Sequence, residues 1–295
     1  MSKNNSIVLT KVQRQIIHEA LAIEAEEAQK AGSVGYMARV LTQATMPHRD
    51  PKERFFDRSN GLLTVSLVDV NNVGLPYGAL PRLLLAWITT EAVLKKDRNI
   101  VLGESLSQFM RELDLAPTGG RWGSITRLKE QMGRLFSCAI GYKVEDDSGL
   151  HLAQTSISKE VHLWWDPKSP EQTTVWDSYV ELSKDFYDEI VERPIPVDLR
   201  ALRALKRSPM SLDIYTWLTY RMSYLSKTTA ISWEQLQLQM GAGYAYSDRG
   251  RTNFQQAFKK NLKSVLVVYP DAQVSQERGR LILKPSNTHI TKRTK

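Results

Sequence analysis

Hydrophobic positions along the chain change their spacing several times, and each change predicts an element. Over residues 10–30, Val12, Ile16, Ala20 and Ile23 fall at helical spacing, with Glu19, Glu24, Glu26 and Glu27 elsewhere on the surface. That is an amphipathic helix, and Gly32 and Gly35 punctuate its end. Thr45–Gly61 is polar, charged and Pro-containing, so it reads as a linker or an ordered loop. The expectation is an N-terminal helical arm, residues 1–55, outside any core. It is free to pair with another subunit, to meet a partner protein, or to cap the first domain.

Leu62–Val70 alternates β-branched positions and predicts a strand. Leu80–Lys95 is a strongly apolar helix, Asn99–Leu102 a short strand, and Glu104–Leu115 a helix that turns Leu106, Phe109, Met110 and Leu113 inward. After the Pro/Gly turn Ala116–Gly120 comes a helix over Arg121–Phe136. Strands at Ala139–Val144 and Leu150–Ser158 flank the turn Asp146–Gly149, with a further strand at Val161–Trp165.

The order recurs after the Pro-bounded break Asp166–Pro170. Trp176–Val191 opens a new section, and Asp198–Leu205 is a short helix. A long helix, Met210–Leu225, carries the stripe Leu212, Tyr215, Leu218, Met222 and Leu225. Next come a strand at Thr229–Ser232, a helix at Trp233–Met240, the glycine turn Gly241–Asp248 and a helix at Arg249–Ser264. Strands at Val265–Tyr269 and Arg280–Lys284 close the pattern. Helix, short strand, helix, turn, helix, hairpin is the order of a winged helix, in which the hairpin is the wing. The pattern therefore predicts an α+β chain of two tandem winged-helix domains, 56–170 and 171–290, behind the arm. The 295 residues are long enough for both.

Charge makes the halves unequal. From Gly241 onward there are eleven basic residues and three acids, a surplus equal to the net +8 of the whole chain, so the first 240 residues are formally neutral. A positive field at one end suits a polyanion; a basic tail can also serve solubility alone. On a helical wheel the last helix sets Phe254, Ala257, Phe258 and Val265 against an outward face of Arg249, Thr252, Gln256, Lys259, Lys260 and Lys263, with Arg251 beside its start. That face is acid-free. Its Lys and Arg suit phosphates or guanine, and Gln256 suits adenine. Arg278 and Arg280 on the second wing are candidates for phosphate or minor-groove contact. The corresponding helix of the first half is weaker: Arg121, Arg127 and Arg134 are interrupted by Glu130. It is a candidate for phosphate contact or for a second subunit.

Other chemistry finds little support. Gly-Lys never occurs, so there is no Walker A motif. No cofactor is expected. The five histidines, His18, His48, His151, His162 and His289, are never paired at metal-ligand spacing, and Cys138 is the sole cysteine. No metal, catalytic or disulfide site is expected. No stretch approaches the ~20 apolar residues that span a bilayer, and the N-terminal residues lack a secretory h-region. The expectation is a soluble, cytoplasmic protein without membrane contact.

Four segments carry a resemblance: Pro76–Ala92 (PYGALPRLLLAWITTEA), Ser105–Leu115 (SLSQFMRELDL), Thr118–Phe136 (TGGRWGSITRLKEQMGRLF) and Trp176–Leu225. In these runs the chain resembles the plasmid-encoded RepA family of replication initiators, over roughly Phe55 to Lys284. The resemblance implies tandem winged helices that bind repeated origin DNA (iterons) without catalysing a covalent step. It implies that they help open an adjacent AT-rich tract with the host initiator, and recruit the host replicative helicase. It further implies a homodimer that represses its own gene, in equilibrium with a monomer that binds iterons. Only the DNA-contact role transfers to residues here, onto the helix Arg249–Ser264 and, as a weaker candidate, Arg121–Phe136. The residues leave open a dimeric winged-helix transcriptional regulator with no role in replication. A rolling-circle nicking enzyme is disfavoured, because its metal-binding His pair is missing.

Overall fold

The first helix opens with the capping box its sequence allows. In the computed structural model, the Thr10 hydroxyl accepts from the Gln13 amide while the Gln13 side chain accepts from the Thr10 amide. The structure describes residues 10–146, 149–165, 168–172, 178–241, 243–277 and 279–290. Parts of the expected turn Asp146–Gly149 and break Asp166–Pro170, Trp176 and the wing residue Arg278 lie outside them.

The arm is part of the core, contrary to expectation. It comprises α1 (Lys11–Ala25), β1 (Val34–Met37) and α2 (Arg39–Gln43). Ile16, Met37, Ala38, Val40 and Leu41 are buried within one continuous apolar cluster. The first half then runs through β2 (Phe55–Ser59), β3 (Leu63–Asp69), α3 (Ala79–Lys95), β4 (Asn99–Val101), α4 (Leu106–Glu112), α5 (Ser124–Phe136), β5 (Cys138–Asp146), β6 (Gly149–Ser156), β7 (Ser158–His162) and β8 (Tyr179–Leu182). The second half continues with α6 (Lys184–Glu192), β9 (Ile195–Asp198), α7 (Leu199–Leu205), α8 (Pro209–Met222), β10 (Thr229–Ser232), α9 (Trp233–Met240), α10 (Asp248–Val268), β11 (Val274–Glu277) and β12 (Arg280–Leu283).

The arm packs on both halves. β1 pairs antiparallel with β9 and lies against α3, where the Tyr36 amide donates to the Thr90 hydroxyl, and α1 packs on α7 and α10. Arg200, paired with Asp198, donates to the carbonyls of Ala22 and Glu26 at the end of α1. Those carbonyls have no partner within the helix, so the guanidinium closes an open helix end. Hydrophobic spacing revealed α1 but not where its apolar face would go.

The two halves share one sheet topology, carried by an unexpected hairpin. In the second half three antiparallel strands run in the order β10-β12-β11. In the first half the equivalent order is β4-β8-β7. The hairpin expected as the first wing, β5–β6, does form, but β5 pairs with β3 and completes a separate sheet, β2-β3-β5-β6. The place of β11 and β12 is taken by β7 and β8. Strand β8 therefore falls beyond residue 170 yet completes the sheet of the first half. β2 lies within the stretch read as linker.

The end of α10 also departs from expectation. Val265–Tyr269, expected as a strand, continues the helix to Val268. Phe254, Phe258, Leu262, Val265 and Val268 are all buried and keep helical spacing. Burial of that stripe outweighs the preference of the valines for β structure.

A buried charge cluster joins the halves. Arg82 of α3 forms a two-pronged pair with Asp213 of α8, at 2.6 and 2.7 Å. The same guanidinium donates to the carbonyls of Met46, Pro47 and Gly78, and His48 lies 2.7 Å from Asp213. Burial alone would raise the Asp213 carboxyl, but Arg82 and His48 hold it below the usual carboxylate range. Burial pushes His48 below its ordinary value, so the neutral ring donates to the carboxylate.

Candidate nucleic-acid interface

α10 presents one continuous polar stripe. Arg249, Thr252, Gln256, Lys260 and Lys263 are all exposed, while Phe254, Phe258 and Leu262 hold the opposite side in the core. At 1.5 Å per residue, the stripe runs about 21 Å along the helix. The Ser247 hydroxyl caps its start. Thr252 donates its hydroxyl back to the Asp248 carbonyl, which leaves its methyl and an oxygen lone pair for outside contact.

Two cations of this helix are partly committed elsewhere. Arg251 is half-buried and lies 3.1 Å from Glu234 of α9 and 3.8 Å from Asp248. Lys259 is half-buried too, with its ammonium 5.2 Å from the centre of the Trp233 ring. Asn253, which helical phase and charge did not single out, is exposed one turn before Gln256. Arg280 is exposed at the start of β12, opposite Glu277 of β11.

The face of α5 differs from the one its helical wheel predicts. Arg134 turns inward and is only 13% exposed. It lies 2.6 Å from Glu130 and 3.4 Å from Asp50, donates to the Leu75 carbonyl, and sits over the Tyr77 ring. Arg134 thus ties the loop before α3 to α5, and Glu130 is its partner rather than an isolated outward acid. The polar side chains that α5 and its entry turn leave exposed are Arg121, Thr126, Arg127, Lys129 and the paired Glu130.

Glycines allow the turn before each helix to pack closely. A Cβ at Gly123 would collide with the Thr118 and Gly119 carbonyls, and one at Gly250 with the Ala245 carbonyl. Each turn ends on a large exposed aromatic, Trp122 at 81% and Tyr246 at 68%. Sequence patterns alone did not mark either one. The available signal was a Trp between Arg and Gly inside a turn, where no apolar neighbour could bury it.

Three of the five histidines have structural partners: His48 lies against Asp213, His289 Nδ1 lies 2.7 Å from the Tyr215 hydroxyl with its ring stacked on Tyr269, and His162 pairs with Glu160. Among the described residues, no group of three or more His, Cys, Asp or Glu is placed to hold a metal ion. None of their helices is long and apolar enough to cross a membrane.

The family model described as "Plasmid encoded RepA protein" matches residues 75–235, more than half of the chain. The chain belongs to that family. The match runs from the loop before α3 into α9, so α10 and its hairpin lie beyond it. Among solved structures, domains 2 and 3 of RctB are similar in fold, with a TM-score of 0.53 at 10% identity, covering 83% of this chain and 98% of that one. No curated protein matches the chain.

Proposed function

We propose that this protein is the replication initiator of a plasmid, binding repeated DNA at its origin through two winged-helix units. Membership of the RepA family supports the replication role. The observation that carries DNA binding is the exposed stripe Arg249–Thr252–Gln256–Lys260–Lys263 on α10, which begins beside the exposed Asp248 and carries no acid beyond it. A helix with that face suits a major groove: Lys and Arg neutralise phosphates, while Gln256 and Asn253 offer the paired donor and acceptor that adenine takes. The shared sheet order of the halves supports reading each as a winged helix, with β7–β8 and β11–β12 as wings. On this reading Arg278 and Arg280 reach the backbone or minor groove from the second wing. Arg121 and Arg127 make phosphate contacts from the first half, and Lys259 and Arg251 contribute at the edge.

Origin opening, helicase recruitment and a dimer that exchanges with a DNA-binding monomer are part of the same proposal, and rest on the family. The direct test is competition. Duplexes carrying the direct repeats beside this gene should displace labelled origin DNA at far lower concentration than scrambled duplexes of equal length. Equal competition would sink the proposal. A dimeric transcriptional regulator is the alternative from the residues. It is separated by whether a plasmid carrying the origin replicates only when this protein is supplied.

A further inference from the structure

Trp122 and Tyr246 occupy the same place in the two halves. Each stands two residues before the first residue of its helix, Ser124 of α5 and Asp248 of α10. Gly123, directly after Trp122, lets the Thr118–Gly119 backbone approach closely, and Gly250 in the first turn of α10 does the same for Ala245. Both are among the most exposed large apolar side chains of the chain.

The turn that presents Trp122 is tightly built. The Thr118 and Ser124 hydroxyls lie 3.0 Å apart, and each accepts the other residue's backbone amide at 2.9 Å. Ser124 also donates to the Ala116 carbonyl at 2.6 Å, and Thr126 to the Gly120 carbonyl at 2.9 Å. The indole is held out by a rigid frame rather than left on a loose loop. Its polar surroundings are cationic. The Arg121 guanidinium lies 5.2 Å from the ring centre, Arg127 and Lys129 are exposed on the next turns, and Glu130 is already paired with Arg134. Tyr246 has the exposed Arg249 three residues on, with the exposed Asp248 between them.

We infer that Trp122 and Tyr246 are paired DNA contacts, each ring packing on the deoxyribose and base edges of the duplex beside its helix. This rests on the proposed DNA-binding role and adds a component that charge does not supply. The cations favour duplex DNA over a second copy of the chain, because an isologous contact across this face would set Arg121, Arg127 and Lys129 against their own counterparts. Aromatic and apolar side chains do contact DNA in this way, against thymine methyls or as wedges at base steps.

The test measures binding of the full chain to an origin-repeat duplex by fluorescence anisotropy at several salt concentrations. Trp122→Ala and Tyr246→Ala should each weaken binding by about tenfold, with the slope of log K against log salt unchanged. Lys263→Ala should instead lower that slope by about one. Trp122→Tyr, which keeps a ring, should recover most of the affinity, and unchanged thermal melting shows that the fold is intact. If Lys263→Ala weakens binding while both aromatic variants bind like the parent, the inference fails and the DNA-binding role stands. If Trp122→Ala alters only the sedimentation mass, the ring serves a protein interface and the inference also fails. If the parent protein shows no preference for the repeats, the functional proposal and the inference fail together.

Discussion

The two halves share an element order and a sheet order but differ in electrostatics, and the difference is smaller at the helices than along the sequence. By count, the residues from Gly241 onward carry a surplus equal to the whole net +8, and the 240 before them are neutral. In three dimensions each helix gives up one arginine to structure, Arg134 in α5 and Arg251 in α10. Arg134 pairs with Glu130, which itself stays exposed beside the cations of α5. The halves then differ mainly in readout. α10 adds Asn253 and Gln256 to its cations, whereas α5 offers Arg121, Arg127 and Lys129 with Thr126 alone. On the proposed function, the field guides both halves to DNA, and α10 is the side equipped to choose a sequence.

The largest expected effect comes from breaking what holds the halves together. Asp213→Ala leaves Arg82 buried without its partner, and should destabilise the protein by about 3–5 kcal/mol in chemical denaturation. A small change would mean that the halves are coupled by packing alone. Next, removing three exposed cations from α10 (Arg249, Lys260 and Lys263 to Ala) should lower the slope of log K against log salt by about three. The matched triple in α5 (Arg121, Arg127 and Lys129 to Ala) should do the same with less loss of sequence preference. Equal loss of preference would make the halves equivalent readers. Arg134→Ala sharpens the contrast within α5. It should cost about 1–3 kcal/mol of stability, through the acceptors it leaves unpaired, and leave the salt slope unchanged.

The smallest effect is on pH. His48 titrates below its ordinary value in the folded protein, so the unfolded chain takes up a proton first as pH falls. The stability this contributes is fully present above about pH 6.5 and declines as pH falls from there toward the folded pKa. Asp213 adds a second loss only below its ordinary range near pH 4. Thermal melts of His48→Gln should be flatter across the first window than those of the parent protein.

Much of this architecture was legible in the sequence where apolar spacing is local. α3, α5, α8 and α9 lie close to their expected bounds, because each carries a buried stripe that repeats every turn. Pairings made at long range were not legible. β1 and β9 are four residues each, Pro196 interrupts the second, and nothing local says that they meet. β2 hides in a charged stretch because it is the edge of its sheet and buries little. The hairpin that completes the three-stranded sheet of the first half was misplaced for the same reason. β5–β6 is the hairpin closest in sequence, whereas β7 and β8 are separated by sixteen residues. At the candidate interface, charge and helical phase identified the stripe on α10. They could not show which arginines turn inward, since Arg134 and Arg251 take their partners from other elements as well as their own helix.

The claim that α10 reads the origin is tested most directly by binding Gln256→Ala to a set of duplexes in which each base pair of the repeat is changed in turn. The variant is expected to lose discrimination at one or two adjacent base pairs, by about 1–3 kcal/mol for the lost base contact, and to keep it elsewhere. Discrimination unchanged at every position would contradict the claim and remove α10 from the groove.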